Sequence, residues 1–270
     1  MKKMIWMGLF CLSWSFIANA EISSPATPLP VKYTYQVLAE RGHNTRLFTQ
    51  GLVLDQGTFY ESSGLYGRSM LVSYPETEPL GKWIRKATRF DQQKALAPRY
   101  FAEGLTLFDN KLYLLTWQEG TVFVYDQANF TLLKQMTYSG EGWGLAHTDD
   151  ALIRSDGSHR LYFHAPEDFS ITKTIHVLEQ GRPVQKLNEL EFIDGFIWAN
   201  VWHEDRLVQI DADNGSVVGS LDLSALVARV DVASSESVLN GIAYDATQDA
   251  LWITGKNWPS MYKIKVIISE

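Results

Sequence analysis

Glu103 is the only carboxylate among five side chains that lead a recurring cassette: a polar or aromatic residue, then Gly (once Glu), then Leu or Ile. The copies are Gln50-Gly51-Leu52, Glu103-Gly104-Leu105, Trp143-Gly144-Leu145, Asn188-Glu189-Leu190 and Asn240-Gly241-Ile242, spaced 40 to 53 residues apart. A second set follows at a near-fixed offset: Trp117 lies 14 residues after Glu103, Trp202 lies 14 after Asn188, and Lys256 lies 16 after Asn240. A carboxylate flanked by Phe101 has its charged form disfavoured by desolvation, which raises its pKa towards the working pH and suits it to moving protons. The alternative is a carboxylate that binds backbone amides inside a channel, and register alone does not choose between the two. Any one of these tryptophans could be a packing ring between sheets, and Lys256 could be a surface lysine on the turn Thr254-Gly255-Lys256-Asn257. Taken jointly and in register, they describe a small apolar pocket with a few convergent polar groups.

Such side chains must be brought together from distant parts of the chain, and the repeat period says how. Units of about 40 to 50 residues with about four strands each suit propeller blades, which stack radially because one blade alone cannot bury its faces. In the second copy, short strands are expected over Gly104–Phe108, Lys111–Thr116, Thr121–Asp126 and Thr131–Thr137; in the fourth, over Glu189–Ile193, Phe196–Val201, Arg206–Asp211 and Ser216–Leu221. Asp194-Gly195 and Asn214-Gly215 read as hairpin turns. The last copy supplies only about three strands, while Tyr33–Glu40 forms one before the first cassette. The all-β fold expected is therefore a β-propeller whose last blade is closed by the N-terminal strand, leaving no free edge. A helical turn is expected within 222–238, as a connection.

The first twenty residues read as a cleavable secretory signal: Lys2 and Lys3, an apolar stretch from Met4 to Ile17, then Ala18-Asn19-Ala20. That stretch is too short to span a membrane. Residues 21–32, with three prolines, read as a flexible leader, and 33–270 as one catalytic domain. The expected location is outside the cytoplasm, periplasmic or extracellular, with no membrane association of the mature form. The single cysteine, Cys11, leaves with the signal, so the mature chain must be stable without disulfides. A formal charge of −7, which becomes more negative once Lys2 and Lys3 are removed, makes nucleic acid and anionic membranes poor partners. The six histidines (His43, His147, His159, His164, His176 and His203) lack paired ligand spacing, so neither a metal nor another cofactor is expected. No phosphate-binding glycine loop or nucleophile elbow is present. Ser155-Asp156-Gly157 reads as an ordinary turn, and Glu61 as a candidate second carboxylate at the rim.

These motifs resemble the glutaminyl cyclases of the plant and bacterial type. The resemblance rests on Phe48-Thr49-Gln50-Gly51-Leu52, Phe101-Ala102-Glu103-Gly104-Leu105, Gly142-Trp143-Gly144-Leu145, Ser155-Asp156-Gly157, Leu187-Asn188-Glu189-Leu190-Glu191, Trp198-Ala199-Asn200-Val201-Trp202, Val238-Leu239-Asn240-Gly241-Ile242-Ala243 and Thr254-Gly255-Lys256-Asn257-Trp258, in the family's order. It implies a five-bladed propeller that converts an N-terminal glutaminyl residue of a peptide or protein to pyroglutamyl with release of ammonia, without metal. It also implies Glu103 as the acid and base, in a substrate pocket built by Phe48, Gln50, Phe101, Trp117, Trp143, Asn188, Trp202, Asn240 and Lys256. Ala102 stands where the family commonly has glycine. A monomer is the expected state. Two other readings are a non-catalytic secreted propeller that binds a peptide or sugar through the same aromatic mouth, and a propeller glycosidase, for which Glu61 is the only visible second carboxylate.

Overall fold

Short runs of β-branched and aromatic residues separated by Gly, Asn and Asp turns dominate the chain, and the computed structural model, which describes residues 29–77, 89–232 and 234–269, forms a strand from each. After β1 (Val31–Gly42) come four strands, β2 (Thr49–Asp55), β3 (Thr58–Ser63), β4 (Met70–Pro75) and β5 (Gln92–Ala95), paired antiparallel in sequence order. The second unit repeats this with β6 (Ala102–Phe108), β7 (Lys111–Thr116), β8 (Thr121–Asp126) and β9 (Leu132–Thr137). The third comprises β10 (Leu145–His147), β11 (Leu152–Ser155), β12 (Arg160–His164) and β13 (Ile171–His176). A small hairpin, β14 (Leu178–Glu179) and β15 (Arg182–Pro183), leads into the fourth: β16 (Leu187–Ile193), β17 (Phe196–Val201), β18 (Arg206–Asp211) and β19 (Val217–Asp222). A single helical turn, α1 (Ser224–Val227), precedes β20 (Leu239–Asp245), β21 (Ala250–Gly255) and β22 (Ser260–Ile268). The fold is all-β and propeller-like.

β1 pairs antiparallel with β22 from Tyr33↔Ile268 to Gly42↔Ser260 and supplies the fourth strand of that last sheet. It is longer than the expected Tyr33–Glu40, and the leader placed at 21–32 ends sooner than expected. Val31, Lys32 and Tyr33 pair in parallel with Gly219, Ser220 and Leu221 of β19, so the backbone there is already strand. This parallel pairing also joins the fourth and last units into one eight-stranded sheet, in place of two separate ones. The signal segment expected at 1–20, and the leader up to residue 28, lie outside the described residues.

Between consecutive sheets lie apolar clusters. Leu71 and Leu105 belong to one between the first and second units, Leu115 and Leu152 to the next, and Ile153 and Ile197 to the third. Leu207 and Ile253 join the fourth unit to the last, and Leu52 and Ala243 join the last back to the first. Both faces of the inner strands are covered, and truncating one such leucine to alanine costs about 2–5 kcal/mol. Of the two expected hairpin turns, Asp194-Gly195 has φ of 50° and 85°, as a two-residue turn of the type that suits β-twist requires. Asn214-Gly215 sits in a longer connection in which Gly215 N–H donates to the Asp211 carbonyl at 2.8 Å. No helix among the described residues is long and apolar enough to cross a membrane.

Candidate active site

The cassettes are where the inner strands break register. Pairing with the second strand shifts between Thr49 and Gly51, Ala102 and Leu105, Leu187 and Leu190, and Leu239 and Ile242, so Gln50, Glu103, Asn188 and Asn240 each sit in the irregularity. A bulge bends the strand and re-aims a side chain that would otherwise face a neighbouring sheet. In the third unit Trp143 and Gly144 lie just ahead of β10. The glycines permit the ring to close tightly: a Cβ on Gly104 would strike the backbone of Trp143–Leu145, and one on Gly144 the Asn188 carbonyl. Buried polar side chains from the second strands satisfy the disturbed backbone. Ser62 Oγ donates to the Glu103 carbonyl at 2.5 Å, Ser155 Oγ to the Asn188 carbonyl at 2.7 Å, and Asn200 Oδ1 accepts from Gly241 N–H at 3.0 Å.

Three of the leading side chains, Gln50, Glu103 and Asn240, form a hydrogen-bonded polar floor. Gln50 donates its amide Nε2 to Glu103 Oε1 at 3.0 Å, and its Oε1 accepts from Asn240 Nδ2 at 3.3 Å; Asn240 Nδ2 also reaches the Thr49 carbonyl at 2.9 Å. Gln50, Glu103, Asn188, Asn240 and Lys256 are all buried. Three polar atoms of the site residues, Asn188 Oδ1, Asn240 Oδ1 and Trp202 Nε1, are buried without a hydrogen-bond partner among the described residues. Burial pushes the Glu103 carboxyl well above the usual carboxylate range; the Lys256 ammonium opposes this, and Glu141 and Glu119 add to it. Burial likewise lowers Lys256, against the pull of Glu103 and Glu236.

Around this floor runs a closed collar. The Lys256 ammonium lies 4.8 Å from the Phe48 ring; Phe48 meets Phe101 edge-on at 6.3 Å, and Phe101 meets Trp117 at 5.6 Å. Trp117 Nε1 donates to Glu141 Oε2 at 2.8 Å, and the same oxygen accepts from Trp143 Nε1 at 2.9 Å. Trp143 meets Trp202 edge-on at 5.5 Å, and Trp202 lies 5.9 Å from the Lys256 ammonium, which completes the circuit. Phe48, Phe101, Trp117, Trp143 and Trp202 are all partly exposed, so the collar opens to solvent above its buried floor. Asn257, with φ of 59°, holds the lysine's turn by donating Nδ2 to the Thr45 carbonyl at 2.9 Å. Nine of the ten residues singled out from the sequence are thus linked in this collar and floor, carried there by the cassettes and the strand ends beside them; the tenth, Asn188, is buried at the equivalent place in the fourth cassette.

Glu141 was invisible to the repeat, because it lies two residues before a cassette. Burial alone would raise its carboxyl, but hydrogen bonds from Trp143, Trp117 and Gln118 bring it below the ordinary range. Tyr66 also escaped notice: its ring packs on Phe101 at 5.3 Å, and its hydroxyl donates to Glu119 at 2.8 Å. Glu61 does not stand at the rim. It is fully buried and accepts from Thr49 Oγ1 at 2.7 Å and the Tyr74 hydroxyl at 2.6 Å, with His43 Nε2 3.1 Å away, so the second carboxylate that a glycosidase needs is absent from this position. Backbone amides are bound by a different acid, Glu189, which accepts from Leu52 N–H at 3.3 Å and Ile242 N–H at 2.8 Å. Ser155, read as part of a turn, serves the scaffold: its hydroxyl oxygen also accepts from Gly144 N–H at 2.7 Å.

The sequence profile described as glutamine cyclotransferase matches residues 10–266. Over 235 residues the chain is 37% identical to a glutaminyl-peptide cyclotransferase of Arabidopsis thaliana, covering 86% of this chain and 71% of that protein. The crystal structure of Myxococcus xanthus glutaminyl cyclase superposes with a TM-score of 0.81 at 36% identity, covering 89% of this chain and 100% of the other. With the profile spanning nearly every described residue, the chain belongs to the glutamine cyclotransferase family.

Proposed function

We propose that the protein is a glutaminyl-peptide cyclotransferase, which closes an N-terminal glutaminyl residue of a peptide or protein to pyroglutamyl and releases ammonia, with Glu103 as general acid and base. The observation that carries this reading is the collar itself: aromatic rings over one buried carboxyl and one buried ammonium, with three unpartnered buried polar atoms on the site residues. Two of those atoms, Asn188 Oδ1 and Asn240 Oδ1, accept hydrogen bonds, and Trp202 Nε1 donates one. A glutaminyl terminus offers the complement, since its amine and amide nitrogens donate and its carbonyls accept.

Nucleophile and electrophile share one residue, so the protein's task is to hold the near-attack conformer and move protons. The α-amine attacks the side-chain amide carbon and a C–N bond forms. Glu103, as carboxylate, takes the proton that the attacking nitrogen sheds. As the acid, it then returns a proton to the amide nitrogen, the old C–N bond breaks, and ammonia leaves. A carboxyl that burial raises well above the ordinary range holds the proton more readily between the two steps, so one group serves both. Lys256, with Trp202 Nε1, is suited to steadying the negative charge that develops on the amide oxygen, and the rings exclude the water that would weaken that interaction. Gln50 fixes the carboxyl through its amide.

The sheet units read as five blades, a count supported by one cassette per unit and by apolar clusters that return from the last unit to the first. Secretion after cleavage at Ala20, a monomeric state and independence from metal belong to the same reading. Among the described residues no group of three or more His, Cys, Asp or Glu could hold a metal ion, and activity is expected to persist in chelator. Incubating the purified protein with a Gln-initiated peptide tests the function directly. Loss of one ammonia by mass spectrometry, without hydrolysis of the peptide, is the expected result; an unchanged peptide overturns the proposal. A binding module in place of an enzyme would hold the peptide intact, with an affinity little affected by pH near neutrality.

A further inference from the structure

Beside the collar lies a cleft of about 600 Å³ between the β14–β15 hairpin and the turn from β17 to β18. Its walls carry Glu179, Arg182, Gln185, Lys186, Glu204 and Arg206. Arg206 is committed to two carboxylates, Glu179 at 3.0 Å and Glu204 at 2.6 Å. No ion pair is formed by Arg182 or Lys186 among the described residues, so on a chain with a formal charge of −7 this cleft is a local excess of positive charge.

One indole links a wall of the cleft to the site. The Lys186 ammonium lies 5.7 Å from the Trp202 ring, and the Lys256 ammonium of the collar lies 5.9 Å from the same ring. The Trp202 backbone N–H donates to the Lys186 carbonyl at 2.9 Å, so a main-chain hydrogen bond ties wall to collar. Lys186 and His203, on either side of that contact, hold φ of 63° and 66°, a left-handed conformation that non-glycine residues adopt at a cost and that tends to gather at functional sites.

We propose that this cleft is the subsite for the substrate chain downstream of the reacting residue, and that Arg182 and Lys186 make it selective for acidic peptides. The inference rests on the cyclotransferase reading and deepens it. The Lys186 and Lys256 ammoniums lie 5.7 and 5.9 Å from one ring, hence within about 12 Å of each other, and an extended chain covers about 3.3–3.6 Å per residue, so about the second to fourth residues after the reacting glutamine reach from the collar to the cleft. A carboxylate at those positions meets the two uncommitted cations; a lysine meets them as like charges.

The test compares kcat/KM for Gln-initiated pentapeptide amides carrying Glu or Lys at positions three to five, with a Gln-initiated dipeptide amide too short to reach the cleft as reference. The wild-type protein is expected to favour the acidic pentapeptide over the basic one by about fivefold, with the preference shrinking in high salt. The Arg182→Ala/Lys186→Gln double variant should bring the two pentapeptides within about twofold while leaving the dipeptide rate unchanged. Arg182→Glu/Lys186→Glu should invert the order. Equal rates on the two pentapeptides with the dipeptide turned over, or a preference that survives the double variant, overturns the subsite and leaves the cyclotransferase standing. Failure to release ammonia from any of the three peptides overturns both.

Discussion

Two buried acids occupy neighbouring places in the same repeat and do opposite things. Glu103 leads the second cassette; Glu189 stands in the fourth, where the others carry glycine. Burial pushes both carboxyls well above their ordinary range, so the direction of the shift does not separate them. Their partners do. Glu189 is fully buried and saturates two backbone amides from the first and last units, which makes it a plug at the centre of the ring. Glu103 receives one side-chain amide, from Gln50, and sits beneath the aromatic collar near a lysine. A perturbed acid becomes a candidate for chemistry when its remaining valence faces a ligand.

The sharpest way to break this contrast is to neutralise each acid. Glu103→Gln is expected to leave the fold intact and cut ammonia release by about 10² or more; near-normal turnover would remove Glu103 from the mechanism. Relative to the wild type, the same variant should gain in stability as pH rises. The folded state holds the Glu103 proton more tightly than the unfolded chain does, so the associated stability is present below the ordinary value of 4.5 and is lost as pH climbs through the raised one. The glutamine variant has no such loss, and its Tm should exceed that of the wild type in mildly alkaline buffer and match it near pH 4.

Glu189→Ala should do the reverse. It strands two amides at the ring centre and is expected to cost about 2–5 kcal/mol in urea unfolding, with activity per folded molecule nearly unchanged. A strong activity loss with unaltered stability would erase the distinction between the two acids. Lys256→Met is expected to lower kcat by about tenfold to a hundredfold. Because the ammonium opposes the rise in the Glu103 carboxyl, the limb of the pH profile assigned to Glu103 should also move upward. Glu141→Gln keeps a carbonyl oxygen for both indoles and removes a charge that raises Glu103, so a small downward move of the same limb with little change in KM is expected. Glu141→Ala, which frees the indoles, should raise KM severalfold, and the glutamine variant should restore it.

Much of this was legible in the residues, because a propeller-like repeat converts sequence period into shared position. Lys111–Thr116 and Thr121–Asp126 fall where the alternation put them, and the constant offset from Glu103 to Trp117 and from Asn188 to Trp202 follows from one hairpin of constant length. What escaped were contacts made by residues outside the repeat. Glu141 reaches Trp117 across a sheet and Trp143 across two positions, and its roles become visible only once both indoles are in place. Glu61 was misjudged for a related reason: a strand position alone does not disclose that His43, Thr49 and Tyr74 converge on it. Glycine replaced by glutamate at position 189 was a readable irregularity, but its partners, Leu52 and Ile242, come from other units.

The pairing of β1 with β22 has a kinetic corollary. Strands that meet across 220 positions, as Glu40 and Ser260 do, close a very long loop whose entropy is spent before any contact returns it. Interior sheets can assemble from neighbouring hairpins as synthesis proceeds, whereas this seam waits for material from both extremities. An intermediate with its seam unzipped would expose two unpaired strand borders, which makes that late step the one most open to capture by chaperones, proteases or another copy of the chain.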